Sequence, residues 1–260
     1  MSRFGNLEFE PTPERSVSLR QHVHPLSDET RCLTEARVAF GTAEFESALR
    51  WFGRVLEFNP TSLEAWSGQV RALVELGQYR EAKVWADKAL EKFPQAPDLL
   101  AAKAVSLGRL GETDTALAFS DAALERPGDS SYVWLARGDV LLARRERQVE
   151  SCFDRALQLA PGDWMVRWLV ARVRAYWKQF AAALKRVQEA AALAPDRFVV
   201  WVLAGQCQAA LGLSVPATES FHQALALHPG CRPAEEGLAA LQRAGLLDRL
   251  RTSVRGWFGR

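Results

Sequence analysis

The sequence predicts an all-α solenoid of six stacked helix hairpins followed by a C-terminal capping helix. Three observations carry that reading. Proline stations recur at a fixed interval: Pro60 to Pro94, Pro161 to Pro195 and Pro195 to Pro229 are each 34 residues apart, Pro94 to Pro161 is 67, and Gly128 fills the missing station. Small residues repeat inside the unit with the same period, as in Gly77 and Gly111, Ala82 and Ala116, Ala89 and Ala123, and the series Ala156, Ala190 and Ala224. The stretches between stations are Ala- and Leu-rich with helical periodicity, and none requires a strand. A repeat of this length is one supersecondary unit that cannot bury its apolar face alone, so neighbours stack and share a continuous core.

The elements follow in order. Residues 1–27, with Pro11, Pro13 and Pro25 and mixed charges, read as an extended or disordered segment, although Phe4, Leu7 and Phe9 could fold back onto a neighbouring surface. Ser27 or Asp28 is expected to cap the first helix. From there to residue 229 each unit reads as helix A, a tight turn at a glycine, and helix B ended by proline. Thr61, Ser62 and Glu64 after Pro60 suggest a capping box, and Asp163 and Asp196 stand at similar N-terminal stations. Pro97 and Pro216 fall in first helical turns, where the missing N–H has no intrahelical partner in any case. Phe198 to Leu203 resembles a buried strand in isolation, but the repeat phase puts it on helix A of the sixth unit. Residues 230–260 then provide a capping helix from Pro233 to Arg243, a break at Gly245, and an amphipathic segment. Leu246, Leu247, Leu250, Val254 and Trp257 share one side of that segment, with Arg249, Arg251, Arg255 and Arg260 making it basic.

Within one unit, Trp66, Gly77, Tyr79, Ala82, Ala89 and Pro94, and within another Trp201, Gly205, Gly212, Ala217, Phe221, Ala224 and Pro229, give a pattern that resembles the tetratricopeptide repeat family. The resemblance covers about residues 29–229 by the repeat criterion. It departs in the fourth and fifth units, where Arg145 stands near the usual turn glycine and Trp134 and Trp168 each lie one residue closer to the terminating proline. The family implies a right-handed α–α superhelix whose concave wall is lined by helix A and receives extended peptides or partner helices. Some members are co-chaperones that clamp a terminal carboxylate with a lysine and asparagines. Here Leu33, Ser67 and Ala101, followed by Arg37, Arg71 and Val105, occupy the corresponding places, so that ligand is not supported.

Phase selects the candidate binding residues. One residue beyond the small position of helix A the units carry Arg37, Arg71, Val105, Asp139, Arg172 and Gln206, with Arg109 one turn further along in the third. Guanidinium forks hold carboxylates bidentately, so Arg37, Arg71, Arg109 and Arg172 suit an acidic segment or a C-terminus; the alternative is a solvated helix face. In the fifth unit Trp164, Trp168, Arg172 and Tyr176 recur every four residues, while Val166, Val170, Val173 and Trp177 form a second face. If the valines pack, the aromatic and arginine stripe faces the groove with the residue types that most often anchor interfaces. The competing reading makes Trp168 the packing tryptophan of a shifted helix.

Composition fits an interaction protein better than the other classes. The 33 Lys+Arg nearly balance 31 Asp+Glu, which lacks the basic excess of a phosphate-binding domain, so no nucleic-acid partner is expected. No phosphate loop, nucleophile elbow or paired-histidine zinc motif is present, and neither enzyme activity nor a cofactor is expected. Cys32, Cys152, Cys207 and Cys231 lack redox or metal spacing and read as buried reduced thiols; His22, His24, His222 and His228 do not make a metal set. Residues 1–20 lack an apolar targeting core, which gives a cytoplasmic expectation. The function expected is a non-catalytic adaptor or scaffold holding a protein partner, in a larger complex. Two alternatives stay open: a membrane-surface tether through residues 246–260, and an accessory subunit of a separately encoded enzyme.

Overall fold

The computed structural model describes residues 25–146 and 148–244. Over that span the chain forms thirteen helices and no strand. The first eight are α1 (Pro25–Gly41), α2 (Phe45–Phe58), α3 (Leu63–Glu75), α4 (Tyr79–Lys92), α5 (Pro97–Arg109), α6 (Thr113–Leu124), α7 (Ser131–Ala143) and α8 (Glu150–Leu159). They are followed by α9 (Trp164–Tyr176), α10 (Phe180–Leu193), α11 (Phe198–Ala210), α12 (Ser214–Leu227) and α13 (232–244). Each odd helix pairs with the even helix after it, and consecutive odd helices also touch, so α1, α3, α5, α7, α9 and α11 form an inner layer and the even helices an outer one. This all-α solenoid is the architecture the 34-residue period predicts.

The layers differ in burial. Outer helices bury a narrow stripe at i, i+4 and i+7, such as Ala82, Ala86 and Ala89 of α4 or Ala183, Val187 and Ala190 of α10. Inner helices are covered on most sides, and α5 buries every residue from Leu99 to Gly108 except Lys103. Where the middle of the outer stripe is a phenylalanine, a glycine faces it. A Cβ on Gly138 would lie 2.4 Å from the Phe153 ring, and Phe221 fits between Gly205 and Gly237. Those glycines let the helix backbones approach around a large side chain.

Hairpin turns need one left-handed residue. Gly77, Gly111 and Gly212 supply it with φ of 75°, 89° and 77°, while Ala43, Arg145 and Lys178 adopt the same conformation at φ of 64°, 58° and 59°. Arg145 therefore does the job of the glycine missing from the fourth unit. Helix starts depart from expectation at three places. Helix α1 begins at Pro25 and has Asp28 inside its first turn. Ser62 caps α3 by accepting the Ala65 N–H at 3.3 Å, but Glu64 turns away to Arg37, so no capping box forms. Asp163 caps α9, whereas α11 starts after Arg197 with no side-chain cap and Asp196 takes no part.

Two tryptophans show the repeat at atomic level. Trp66 Nε1 donates to the Pro60 carbonyl at 3.0 Å and Trp201 Nε1 to the Pro195 carbonyl at 2.8 Å, tying helix A to the preceding station. Trp66 is buried; Trp201, in the last full unit, is only partly so. All four cysteines are buried and unpaired. Burial raises the Cys207 thiol to about 11 and pushes Cys152 upward too, which keeps both protonated near neutrality. The amphipathic segment 246–260 and the segment before α1 lie outside the described residues.

Candidate functional site

The inner face does not stay open along its length. Helix α9 crosses the concave side and meets the first hairpins directly: the Trp168 and Phe45 rings stack with centroids 6.1 Å apart, and the Tyr176 ring meets Tyr79 edge-on at 6.2 Å. Arg172 Nη2 donates to the Glu75 carbonyl at 2.7 Å, and Nη1 lies 3.3 Å from the Glu75 carboxylate. These contacts join residues 97 apart in sequence. Both faces of α9 are consequently buried, Val166, Val170 and Val173 on one and Trp168 on the other. The sequence argument that only one face could be core fails because the superhelix curls far enough to cover the second.

Beside this crossing lies a polar cluster. Arg109 and Asp139 form a bidentate pair, with Nη2 to Oδ2 at 2.7 Å and both side chains under 10% exposed (7% and 3%). Trp177 Nε1 donates to Asp139 Oδ1 at 2.7 Å, and the Arg109 guanidinium sits 3.4 Å from the centre of the Tyr176 ring. Burial opposes the charge on Arg109, but the Asp139 carboxylate and its hydrogen bonds outweigh that, and the net effect holds the guanidinium more firmly charged. The Tyr79 and Tyr132 phenols are both pushed up by burial and stay neutral. Tyr132 Oη is buried without a partner, beside a chamber of about 70 Å³ that it lines with Glu75, Arg109, Asp139 and Arg172. Of the residues expected to meet a ligand, Arg109, Asp139, Trp168 and Arg172 thus meet one another or the opposite wall.

At the other end of the inner helices the superhelix opens. A cavity of about 830 Å³ is framed by the first turns of α3, α5, α7 and α9, represented by Glu64, Asp98, Ser131 and Trp164, and by Phe40 near the end of α1. Its apolar walls are Phe40, Phe52, Leu63, Met165, Val166 and Leu169. The size is that of a ligand pocket. Arg71 projects on its wall, over the Tyr132 ring at 4.0 Å and the Phe40 ring at 4.9 Å. Those rings fix the guanidinium by cation–π contact. Its nearest carboxylate oxygen, Asp98 Oδ2, is 3.8 Å away, beyond hydrogen-bond length, and its buried Nε has no partner. Arg37, by contrast, is held by Glu64 at 2.5 and 2.6 Å. Trp164 is half-buried on the rim and Tyr176 is 45% exposed. Sequence reasoning found Arg71 and Trp164 but missed the frame. The available signal was the set of first-turn residues Glu64, Asp98 and Trp164, each three or four residues beyond a Pro60, Pro94 or Pro161 station.

Among the described residues no group of three or more metal-ligating side chains gathers, and no helix is long and apolar enough to cross a membrane.

Residues 39–105 match the tetratricopeptide repeat family. Over that span the chain carries the tetratricopeptide repeat pattern. The hairpins before and after it repeat the same layers and period. Among curated proteins none matches the sequence. Several solved structures share the tetratricopeptide fold at low identity. A tetratricopeptide repeat protein from Parabacteroides merdae ATCC 43184 is 16% identical with a TM-score of 0.54, the match covering 85% of this chain and 87% of that one. Yeast Tom70 is also 16% identical, with a TM-score of 0.55 over 86% of this chain and 49% of its own, so this chain spans about half of it. PilW, described as a widely conserved type IV pilus biogenesis factor, is 19% identical at a TM-score of 0.50 over 81% and 98%. At these identities the likeness is one of fold.

Proposed function

We propose that the chain is a non-catalytic adaptor that holds a short segment of a protein partner in the wide-end cavity, as part of a larger assembly. The tetratricopeptide architecture supports a protein-binding scaffold in general. The observation that carries the finer reading is Arg71, a guanidinium held between two rings, beside the apolar side chains of the cavity and lacking a hydrogen-bonded counter-ion. Among the other charged groups of the lining, Arg37 is engaged with Glu64 and Asp163 with the Met165 N–H, so an Arg71 flanked by apolar side chains suits a segment in which a large apolar residue neighbours a carboxylate. The inner face around α9 is closed by its own contacts, so the partner enters from the wide end and does not run the length of the array.

Selection of a random peptide display library on the purified full chain tests this. Selected peptides are expected to pair an aromatic or aliphatic residue with Asp or Glu. They should lose at least tenfold in affinity, by titration calorimetry, on Arg71→Glu, which reverses the cation, and on Ser67→Trp, which fills the cavity. Circular dichroism should be unchanged in both. Peptides that bind both variants as tightly as the wild type would place the partner elsewhere.

A further inference from the structure

We propose that residues 4–10 of this same chain, Phe4-Gly5-Asn6-Leu7-Glu8-Phe9-Glu10, occupy the wide-end cavity and compete there with the partner segment. The proposal rests on that cavity being the binding site. Three observations point to this occupant.

The first is chemical. Leu7 and Phe9 alternate with Glu8 and Glu10. In an extended backbone successive side chains point to opposite sides, which places two apolar groups on one side and two carboxylates on the other. Glu10 and Thr12 each precede a proline, and the residue before proline is restricted to extended conformations. The cavity has the matching halves: Phe52, Met165 and Leu169 on its apolar side and Arg71 on its wall.

The second is the state of the charges already present. Glu64 is held by Arg37, and Asp163 accepts the Met165 N–H at 2.8 Å. Asp98 is the acid nearest Arg71, and at 3.8 Å it leaves the guanidinium without a hydrogen-bonded carboxylate. Helix α5, which begins beside it, has Ala96 at its N-cap with no side-chain hydrogen bond, so the N–H groups that follow Pro97 add positive potential on the same side.

The third is reach. Helix α1 reaches the cavity with its last turns, through Arg37, Phe40 and Gly41. Arg37 on the cavity wall is twelve residues from Pro25, about 18 Å along a helix. The fifteen residues from Glu10 to Pro25 span up to about 50 Å, which covers that distance with slack.

The test uses the full chain and a fluorescent peptide of residues 3–12, read by anisotropy. The peptide should bind saturably to the chain carrying Leu7→Asp and Phe9→Asp, whose own copy cannot compete. Wild type should bind it at least tenfold more weakly, because a tethered copy competes at high effective concentration. Adding Arg71→Glu to the double variant should weaken binding at least tenfold. The proposal is overturned if the peptide fails to bind the double variant, or binds it and the wild type equally. A wild-type mass that rises with concentration in sedimentation, and falls to monomer in the double variant, would also overturn it in favour of exchange between copies. If library-selected peptides bind the double variant in an Arg71-dependent way while peptide 3–12 does not, self-occupancy falls and the cavity stands as a partner site. Failure of both removes the cavity itself.

Discussion

Asp139 shows how a residue at a binding-type position is recruited to structure. It stands one residue beyond the small position of helix A, the phase that puts Arg37 and Arg71 at the wide end, yet its carboxylate receives both Arg109 and the Trp177 N–H inside the molecule. Removing one partner of such a pair strands the other charge in low dielectric, which costs more than the pair contributes. Asp139→Ala is therefore expected to destabilise the protein by about 3–5 kcal/mol. The double change Arg109→Met with Asp139→Leu should recover most of the loss. Urea denaturation midpoints of the three proteins check this, and an unchanged midpoint for Asp139→Ala would mean the carboxylate is dispensable. The residue types were legible in the sequence. Their pairing was not, because the partners lie thirty residues apart on different repeats.

At the scale of the element, the hairpin depends on matching large and small residues between helices. Phe153 of α8 lies against Gly138 of α7, with ring atoms 2.4, 2.7 and 2.8 Å from where a Cβ would be. Gly138→Ala must push the helices apart or force Phe153 from its rotamer, an overpacking cost of about 1–3 kcal/mol. Gly108 of α5 is the contrasting case, since a Cβ there would be no closer than 3.5 Å to Ala143. There the added helix propensity of alanine, about 1 kcal/mol, should dominate, leaving stability unchanged or raised. The thermal midpoint should fall for Gly138→Ala and stay level or rise for Gly108→Ala; equal shifts would refute the packing argument. The repeat period and its station residues placed every hairpin in the sequence, including the fourth, whose turn lacks a glycine. What the period could not supply was each helix's exact start: Glu64 left its capping position for Arg37, a partner contributed by the neighbouring repeat.

At the scale of the whole molecule, the decisive feature is that five hairpins bring the superhelix round far enough for α9 to touch the first two. Trp168 against Phe45 and Arg172 against Glu75 form a clasp, and the cavity lined by Arg71 stays open beyond it. Truncating a buried tryptophan costs about 3–5 kcal/mol. Trp168→Ala combined with Arg172→Ala should therefore release the clasp, raising the radius of gyration in solution scattering while helix content stays near wild type. A scattering profile identical to wild type would show that hairpin stacking alone sets the curl. Opening the clasp should also relax the frame around Arg71, so the same variant is expected to bind wide-end peptides more weakly.

The sequence by itself determined the all-α class, the period and the succession of helix hairpins. Those are properties of contacts within about one repeat, and a 34-residue pattern records them directly. Only the tertiary structure decided which inner-face residues remain available. That outcome depends on the small rotation between successive hairpins, summed over five of them, and no spacing along the chain encodes the sum. Arg71 and Arg172 hold the same station in their repeats; curvature alone leaves one facing a cavity and presses the other against Glu75.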